Sequence, residues 1–137
     1  MRAVLDVNVL ISATLSARGA AARIVRAWRN GGFELVVSPL LLEELQRAFS
    51  YPKIRERITA EESHEFVRLL EHEAIVGSDP EEAPPARSPD PGDDYLLALA
   101  ASVRAVLVSQ DQHLLSLRER YPVRTPLEFV GLLDGID

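Results

Sequence analysis

The sequence has no cysteine and a single lysine, Lys53. The absence of cysteine excludes disulfide bonds and thiolate-bound zinc. The other basic residues are all arginines, and the net charge is −6. This balance argues against a broad nucleic-acid-binding surface, because phosphate contacts need clustered Lys and Arg side chains. Acidic residues gathered around a metal ion would alter that expectation, since a bound cation inverts the local field.

Long apolar runs, internal repeats and low-complexity segments are also absent. No stretch approaches the roughly 20 apolar residues that a membrane helix needs. The first apolar run is interrupted at Asp6 and Asn8 and lacks the pattern of a secretory signal. We therefore expect a cytoplasmic protein with no membrane association. We also expect a single domain over residues 1–137, which is long enough for one core.

Short apolar strands alternate with helical patterns along the chain, as is typical of a parallel sheet covered by helices. The pattern predicts strands at residues 2–6, 33–37, 74–76, 105–109 and 123–124. It predicts helices at residues 20–30, 39–49, 53–58, 59–73, 93–103, 114–120 and 125–133. Residues 78–90 form the one clear irregular stretch. The expected fold class is α/β, with a central, mostly parallel sheet of four or five strands and helices on both faces.

Two aspartates stand at predicted strand ends. Asp6 ends the first strand, and Asp111 follows the strand in AVLVSQD. Ligands of open parallel sheets bind outside the carboxyl ends of the strands, so both carboxylates fall on the functional edge. Aspartate also commonly begins a turn, and for Asp111 alone that explanation is favoured. It is weaker for Asp6, because apolar residues follow immediately.

A glutamate in LLLEELQRAF is a third candidate. At about 100° per residue, one apolar arc of this helix contains Leu41, Leu42, Leu45, Ala48 and Phe49. Glu44 lies just beyond that arc, whereas Glu43 points nearly opposite to it. We therefore expect Glu44 to reach inward at the core boundary and Glu43 to be solvated. The alternative for Glu44 is a boundary position where it pairs with a surface arginine.

The stretch DPGDDYLLALA supplies further acids, Asp90, Asp93 and Asp94. One of them is expected to cap the apolar helix that follows, since aspartate is a favoured N-cap. If Asp6, Glu44, Asp93 and Asp111 converge, their repulsion raises carboxylate pKa values unless a cation is present. Oxygen-only ligands favour hard ions such as Mg²⁺ or Mn²⁺, which act mainly on phosphates. The residues themselves thus predict a carboxylate metal site for phosphoryl chemistry.

The chain resembles a PIN domain, in particular the group of toxin components akin to VapC toxins. The resemblance rests on VLDVNVLISA, SPLLLEEL, YPKI, DPGDDYLLALA, LVSQDQHLL and TPLEFV, in that order along essentially the whole chain. The four acids of the family pattern fall on Asp6, Glu44, Asp93 and Asp111. The resemblance also implies supporting roles for Asn8, Ser109 and Asp90.

The resemblance implies a metal-dependent endoribonuclease that uses one or two Mg²⁺ or Mn²⁺ ions to hydrolyse phosphodiester bonds in RNA. It further implies an antitoxin partner and a homodimer. Arg23 and Arg26 could follow an RNA backbone, although a solvated helix face is the favoured explanation. Two alternatives remain: a catalytically silent RNA- or protein-binding domain, and a phosphatase of another Asp-based class. The phosphatase is disfavoured because Asn8 stands where a second aspartate is usual.

Overall fold

The computed structural model describes residues 1–80 and 94–135. The strands of this part are β1 (Arg2–Leu5), β2 (Glu34–Val37), β3 (Ile75–Val76), β4 (Val106–Val108) and β5 (Val123–Arg124). They form one sheet in the order β3-β2-β1-β4-β5. Every neighbouring pair is parallel. The predicted α/β fold is therefore confirmed, and the sheet is parallel throughout the described residues.

The helices of the described residues cover the sheet. They are α1 (Val7–Leu15), α2 (Ala20–Arg29), α3 (Pro39–Phe49), α4 (Pro52–Arg55), α5 (Ala60–Glu73), α6 (Asp94–Val103), α7 (Gln112–Leu115) and α8 (Pro126–Leu133). None of these helices combines the length and the apolar character required to cross a membrane.

Helix α1 is the main departure from the sequence pattern, which predicted no helix there. Val9, Leu10 and Ile11 are consecutive and all buried. The helix packs against both α2 and α3, so apolar side chains are required around most of its surface. A short, continuous apolar run with β-branched residues cannot be told from a buried strand by its periodicity.

Several predicted helix starts are confirmed by their side-chain contacts. Ser38 Oγ accepts a hydrogen bond from the N–H of Leu41 at 3.3 Å and so caps α3. Thr59 and Glu62 form a reciprocal capping box at the start of α5. Such caps satisfy backbone N–H groups that have no partner within the helix. The sequence therefore predicted these boundaries to within a residue.

Helix α7 is shorter and begins earlier than the predicted helix at residues 114–120. The Asp111 carboxylate accepts a hydrogen bond from the N–H of His113 at 2.8 Å and starts the helix at residue 112. Only Leu114 and Leu115 anchor this segment in the core. The chain then continues in turns through residue 120.

The path of the chain across the sheet changes direction between β1 and β4. The chain moves outward from β1 to β2 and β3, then returns to the other side of β1 for β4 and β5. Right-handed crossovers place α1 to α5 on one face and α6 with α7 on the other. The carboxyl ends of β1 and β4 therefore flank a topological switch point, where open α/β sheets bind their ligands.

Candidate active site

Asp6 stands at this switch point, between the end of β1 and the start of α1. Its backbone N–H donates to the carbonyl of Val108 at 3.0 Å, which ties it to the end of β4. The residue is 8% exposed, whereas the preceding Ala3, Val4 and Leu5 are completely buried. Asp6 is thus a carboxylate held at the edge of the core by the parallel pairing of β1 and β4.

Ser109 links the two predicted aspartates of this edge. Its hydroxyl donates to Oδ2 of Asp6 at 2.6 Å, across a sequence separation of 103 residues. The same Oγ accepts the backbone N–H of Asp111 at 3.0 Å. Ser109 is itself completely buried. One hydroxyl therefore fixes the orientation of the Asp6 carboxylate and the backbone position of Asp111.

The pKa of the Asp6 carboxyl is raised above its ordinary value. Burial is the largest cause, because it removes water from the charged form, and the negative charge of Asp111 acts in the same direction. The hydrogen bond from Ser109 and the amides of Val7 and Asn8 oppose the shift without cancelling it. A nearby cation would favour the ionised form and reverse this penalty.

Asp111 occupies the more open side of the pair, with a side chain 31% exposed. Its Oδ1 accepts the N–H of His113 and lies 3.6 Å from the Nδ1 of the same histidine. The His113 side chain points largely to solvent, with 57% of it exposed. The carboxylate thus combines a role at the start of α7 with access to solvent beside Asp6.

Glu44 does not join these two acids in the structure. Its Oε1 accepts Nη1 of Arg47 at 2.5 Å, one helical turn further along α3. It is less exposed than Glu43, at 45% against 65% of the side chain, as the helical spacing predicted. The alternative of a boundary glutamate paired with a surface arginine is the arrangement observed. The role of Glu44 in metal binding stays a prediction.

Of the remaining predicted residues, some lie outside the described part of the chain and others lie within it. Asp90 and Asp93 lie outside the described residues, so their placement beside Asp6 stays a prediction, and Asp94 is the first residue of α6. Asn8 lies on α1 with an exposed side chain, and only its backbone amide acts on Asp6.

Both arginines predicted to contact RNA are held by contacts within the protein. Arg23 Nη2 pairs with Asp134 at 3.3 Å. Arg26 Nη1 donates to the carbonyl of Ala17 at 2.8 Å. These contacts give each guanidinium a structural role on the helix surface, and a role in RNA binding stays a prediction.

Asp79 is an acid at the same sheet edge that the sequence reasoning overlooked. Its Oδ2 accepts the N–H of Leu40 at 3.0 Å and so stabilises the start of α3. Its Oδ1 is buried and has no hydrogen-bond partner in the described parts of the chain. Asp79 could have been found from the sequence, because it follows the strand Ile75–Val76 just as Asp6 and Asp111 follow their strands.

The donor set at the switch point suits a hard divalent cation. Both groups are carboxylates, and neither Asp6 nor Asp111 pairs with an arginine or lysine among residues 1–80 and 94–135. Oxygen ligands of this kind are preferred by Mg²⁺ and Mn²⁺. Over the same residues, no group of three or more acidic or histidine side chains could hold a metal ion. Any complete site therefore needs ligands beyond this pair.

A comparison with protein families identifies the chain. The PIN domain family model matches residues 2–113, a span that includes all four predicted acids. A search of curated proteins finds no match. PIN domains are generally nucleases that act on RNA, typically with divalent metals. The VapC-like toxin group stays a prediction, but the sequence match and the parallel α/β sheet agree that the chain belongs to the PIN domain family.

Proposed function

We propose that this protein is a Mg²⁺- or Mn²⁺-dependent endoribonuclease that acts in the cytoplasm as the toxin of a toxin–antitoxin system. The observation that carries the nuclease proposal is the pair Asp6 and Asp111, joined by Ser109 at the switch point of a PIN-family sheet. Buried acids without a cationic partner are costly and are retained mainly where function requires them.

In this proposal Asp6 and Asp111 hold the metal, with Asp93 and Glu44 completing its ligands. The bound ion activates water and neutralises charge on the attacked phosphate. Ser109 donates to Oδ2 of Asp6 and so would hold this carboxylate in place for the ion. Because burial raises the pKa of Asp6, cation binding also keeps this carboxylate ionised.

The test is cleavage of single-stranded RNA by the purified chain in Mg²⁺ or Mn²⁺. We expect cleavage to stop in EDTA and to fall by at least about 100-fold in Asp6→Asn, since even groups that only orient a ligand are worth about 10- to 100-fold. Asparagine still accepts the Ser109 hydrogen bond, so the local structure should persist.

Asp134→Asn is the matched control, because it removes one aspartate charge from a surface pair with Arg23. This variant should cleave RNA at the rate of the unmodified protein. Undiminished cleavage by Asp6→Asn, or cleavage that persists in EDTA, would refute the proposed metal chemistry.

A catalytically silent RNA-binding domain is the competing function. The observation that favours it is the pairing of Glu44 with Arg47, which leaves two acids together at the switch point in the described residues. Mn²⁺ binding, measured by calorimetry, discriminates the two. A nuclease should bind the ion in the unmodified chain and lose this binding in Asp6→Asn, whereas a silent domain should show neither.

The toxin assignment adds two proposed partners, an antitoxin protein and a second copy of the chain. Both come from the resemblance to VapC-like toxins and are tested separately from the chemistry. Expression of the chain should arrest growth, and co-expression of the neighbouring reading frame should relieve the arrest. Equilibrium sedimentation of the purified protein should give twice the mass of one chain.

A further inference from the structure

A cavity lies among α3, α4 and α5. Its volume is about 420 Å³, within the usual range of about 300–1,000 Å³ for sites that bind small molecules. Its lining does not include Asp6, Glu44 or Asp111. The cavity is therefore distinct from the acidic pair at the switch point.

The net charge of the cavity lining has the opposite sign to the net charge of the chain. Arg55 of α4 and Arg68 of α5 both line it, and neither pairs with a carboxylate in the described part of the chain. His64 adds a further hydrogen-bonding group, and Glu71 contributes one negative charge. The lining thus has a positive excess in a chain whose net charge is −6. Two free guanidinium groups that face one cavity suit a phosphate.

Apolar side chains complete the cavity. Phe49 and Val67 line it, and both are buried. The Phe49 ring packs edge-to-face against Phe66 at 6.3 Å between centroids, which fixes its position. Gln46, also in the lining, offers an amide donor and acceptor. A phosphate-binding pair beside apolar surface and an amide matches the phosphate, ribose and base of one nucleotide.

A groove connects this cavity with the carboxyl edge of the sheet. Gln46 and Glu71 line both spaces, and the groove is also lined by Pro39, Leu42, Glu43 and Val76. Its two glutamates make the groove lining negative, so the excess of positive charge belongs to the cavity. Pro39 begins α3 just after β2, and Val76 ends β3, so both stand at the edge where Asp6 and Asp111 lie. From Pro39 to Phe49 helix α3 spans about 15 Å. An RNA strand of a few nucleotides can cover that length.

We infer that the cavity binds a nucleotide of the RNA substrate at a distance from the bond that is cut, with Arg55 and Arg68 on a backbone phosphate. The inference rests on the proposed ribonuclease function and adds a subsite to it. An acidic protein segment would also be attracted to the two arginines. RNA is favoured because the cavity also offers apolar surface and the Gln46 amide, which suit a ribose and a base beside the phosphate.

The test measures binding of a 5′-fluorescein-labelled oligouridylate by anisotropy, in EDTA and in an Asp6→Asn background that cannot cleave it. Arg55→Gln/Arg68→Gln should raise Kd about tenfold or more. The slope of log K against log salt should become shallower by about 0.7, the value for one phosphate contact on a single strand.

Arg104→Gln/Arg120→Gln is the control. It removes the same charge from two exposed arginines that precede β4 and β5, at the opposite edge of the sheet. We expect the control to change Kd less than twofold. Circular dichroism should show the same melting transition in both double variants, because all four side chains are exposed.

The outcomes separate this inference from the proposed function. If Arg55→Gln/Arg68→Gln binds the oligonucleotide as tightly as its parent while the unmodified chain cleaves RNA, the inference is wrong and the nuclease stands. Loss of affinity in that variant, with no cleavage by the unmodified chain, supports the subsite and refutes the nuclease. If the variant loses affinity only for a labelled oligoglutamate peptide, the cavity serves an acidic protein instead.

Discussion

Acidic side chains occur in two different settings in this protein. On the helix surfaces several are paired with arginines, as in Glu44 with Arg47 and Glu128 with Arg118, and others, such as Glu61 and Glu65, are exposed to solvent. At the carboxyl ends of β1 and β4 they have no such partner in the described parts of the chain, and Asp6 is also buried. The exposed acids are therefore paired or solvated, whereas Asp6 is shielded from water without a cation beside it.

The difference has a physical meaning. Exposed pairs contribute little to folding, because solvent screens them and ordering two long side chains costs entropy. The burial of Asp6 beside Asp111 has the opposite sign and raises the pKa of Asp6. Its hydrogen bond from Ser109 orients the carboxylate but supplies no positive charge. A buried carboxylate without a cationic partner is expected at a functional site.

Of the variants that test this difference, Ser109→Ala is expected to have the largest effect, a loss of RNA cleavage. It removes the hydroxyl that orients Asp6 and accepts the amide of Asp111, while both carboxylates remain in the chain. Removing a group that orients a metal ligand costs about 10- to 100-fold in activity or metal affinity. We expect RNA cleavage under saturating Mn²⁺ to fall by that factor, measured as initial rates on a labelled single strand.

Ser38→Ala is the matched control for this prediction. Ser38 is also a completely buried serine at a strand end, but its hydroxyl caps α3 and contacts neither aspartate. Both variants should lose about 1 kcal/mol of stability, measured by urea unfolding. Only Ser109→Ala should lose cleavage, and equal losses in the two variants would assign the effect to stability alone.

The sequence predicted the setting of the acidic pair better than its contacts. Asp6 and Asp111 were assigned to one edge because parallel strands align their carboxyl ends, and the structure joins them there. Ser109 as the link could not be derived from spacing, since its bond to Asp6 spans 103 residues. The pairing of Glu44 with Arg47 was equally open, because helical spacing places a side chain near a boundary without choosing its partner.

The fold, too, was predictable from local sequence patterns except where contacts distant in sequence decided the structure. The strands and most helices were predictable from apolar spacing and caps, including the capping box at Thr59 and Glu62. Helix α1 was not, because Val9, Leu10 and Ile11 are buried on several sides by other helices. Tertiary packing therefore decided the one element whose local pattern suited both a strand and a helix.

Asp6→Asn is expected to stabilise the metal-free protein at neutral pH. The pKa of Asp6 is raised in the folded state, so folding favours the protonated form. Ionisation of the wild-type carboxyl therefore lowers stability as pH rises through the folded-state pKa. Below the ordinary value of 3.8 the carboxyl is protonated in both states, and this cost is absent. The advantage of the asparagine variant should thus be present at neutral pH and vanish under acid conditions.

Urea unfolding in EDTA at several pH values measures this difference. Asp134→Asn serves again as the control, because its carboxylate is half exposed and pairs with Arg23. It should show no gain in stability at neutral pH. A neutral-pH loss of stability in Asp6→Asn, with no change on acidification, would contradict the account of Asp6 as an uncompensated charge.

Arg47→Ala is expected to have the smallest effect. It tests whether Glu44 belongs with the paired surface acids or with the acids at the switch point. The Glu44–Arg47 pair is exposed and one turn apart on α3, so its loss should cost only about 0.3–0.5 kcal/mol of stability. If Glu44 joins the metal as proposed, it must first leave this pair. Arg47→Ala should then lower the Mn²⁺ concentration for half-maximal cleavage by about twofold, the equivalent of that energy.

The control is Arg29→Ala, which breaks an exposed pair with Glu73 on other helices and should leave that concentration unchanged. An unchanged metal requirement in Arg47→Ala would place Glu44 with the paired surface acids and restrict the site to the remaining ligands.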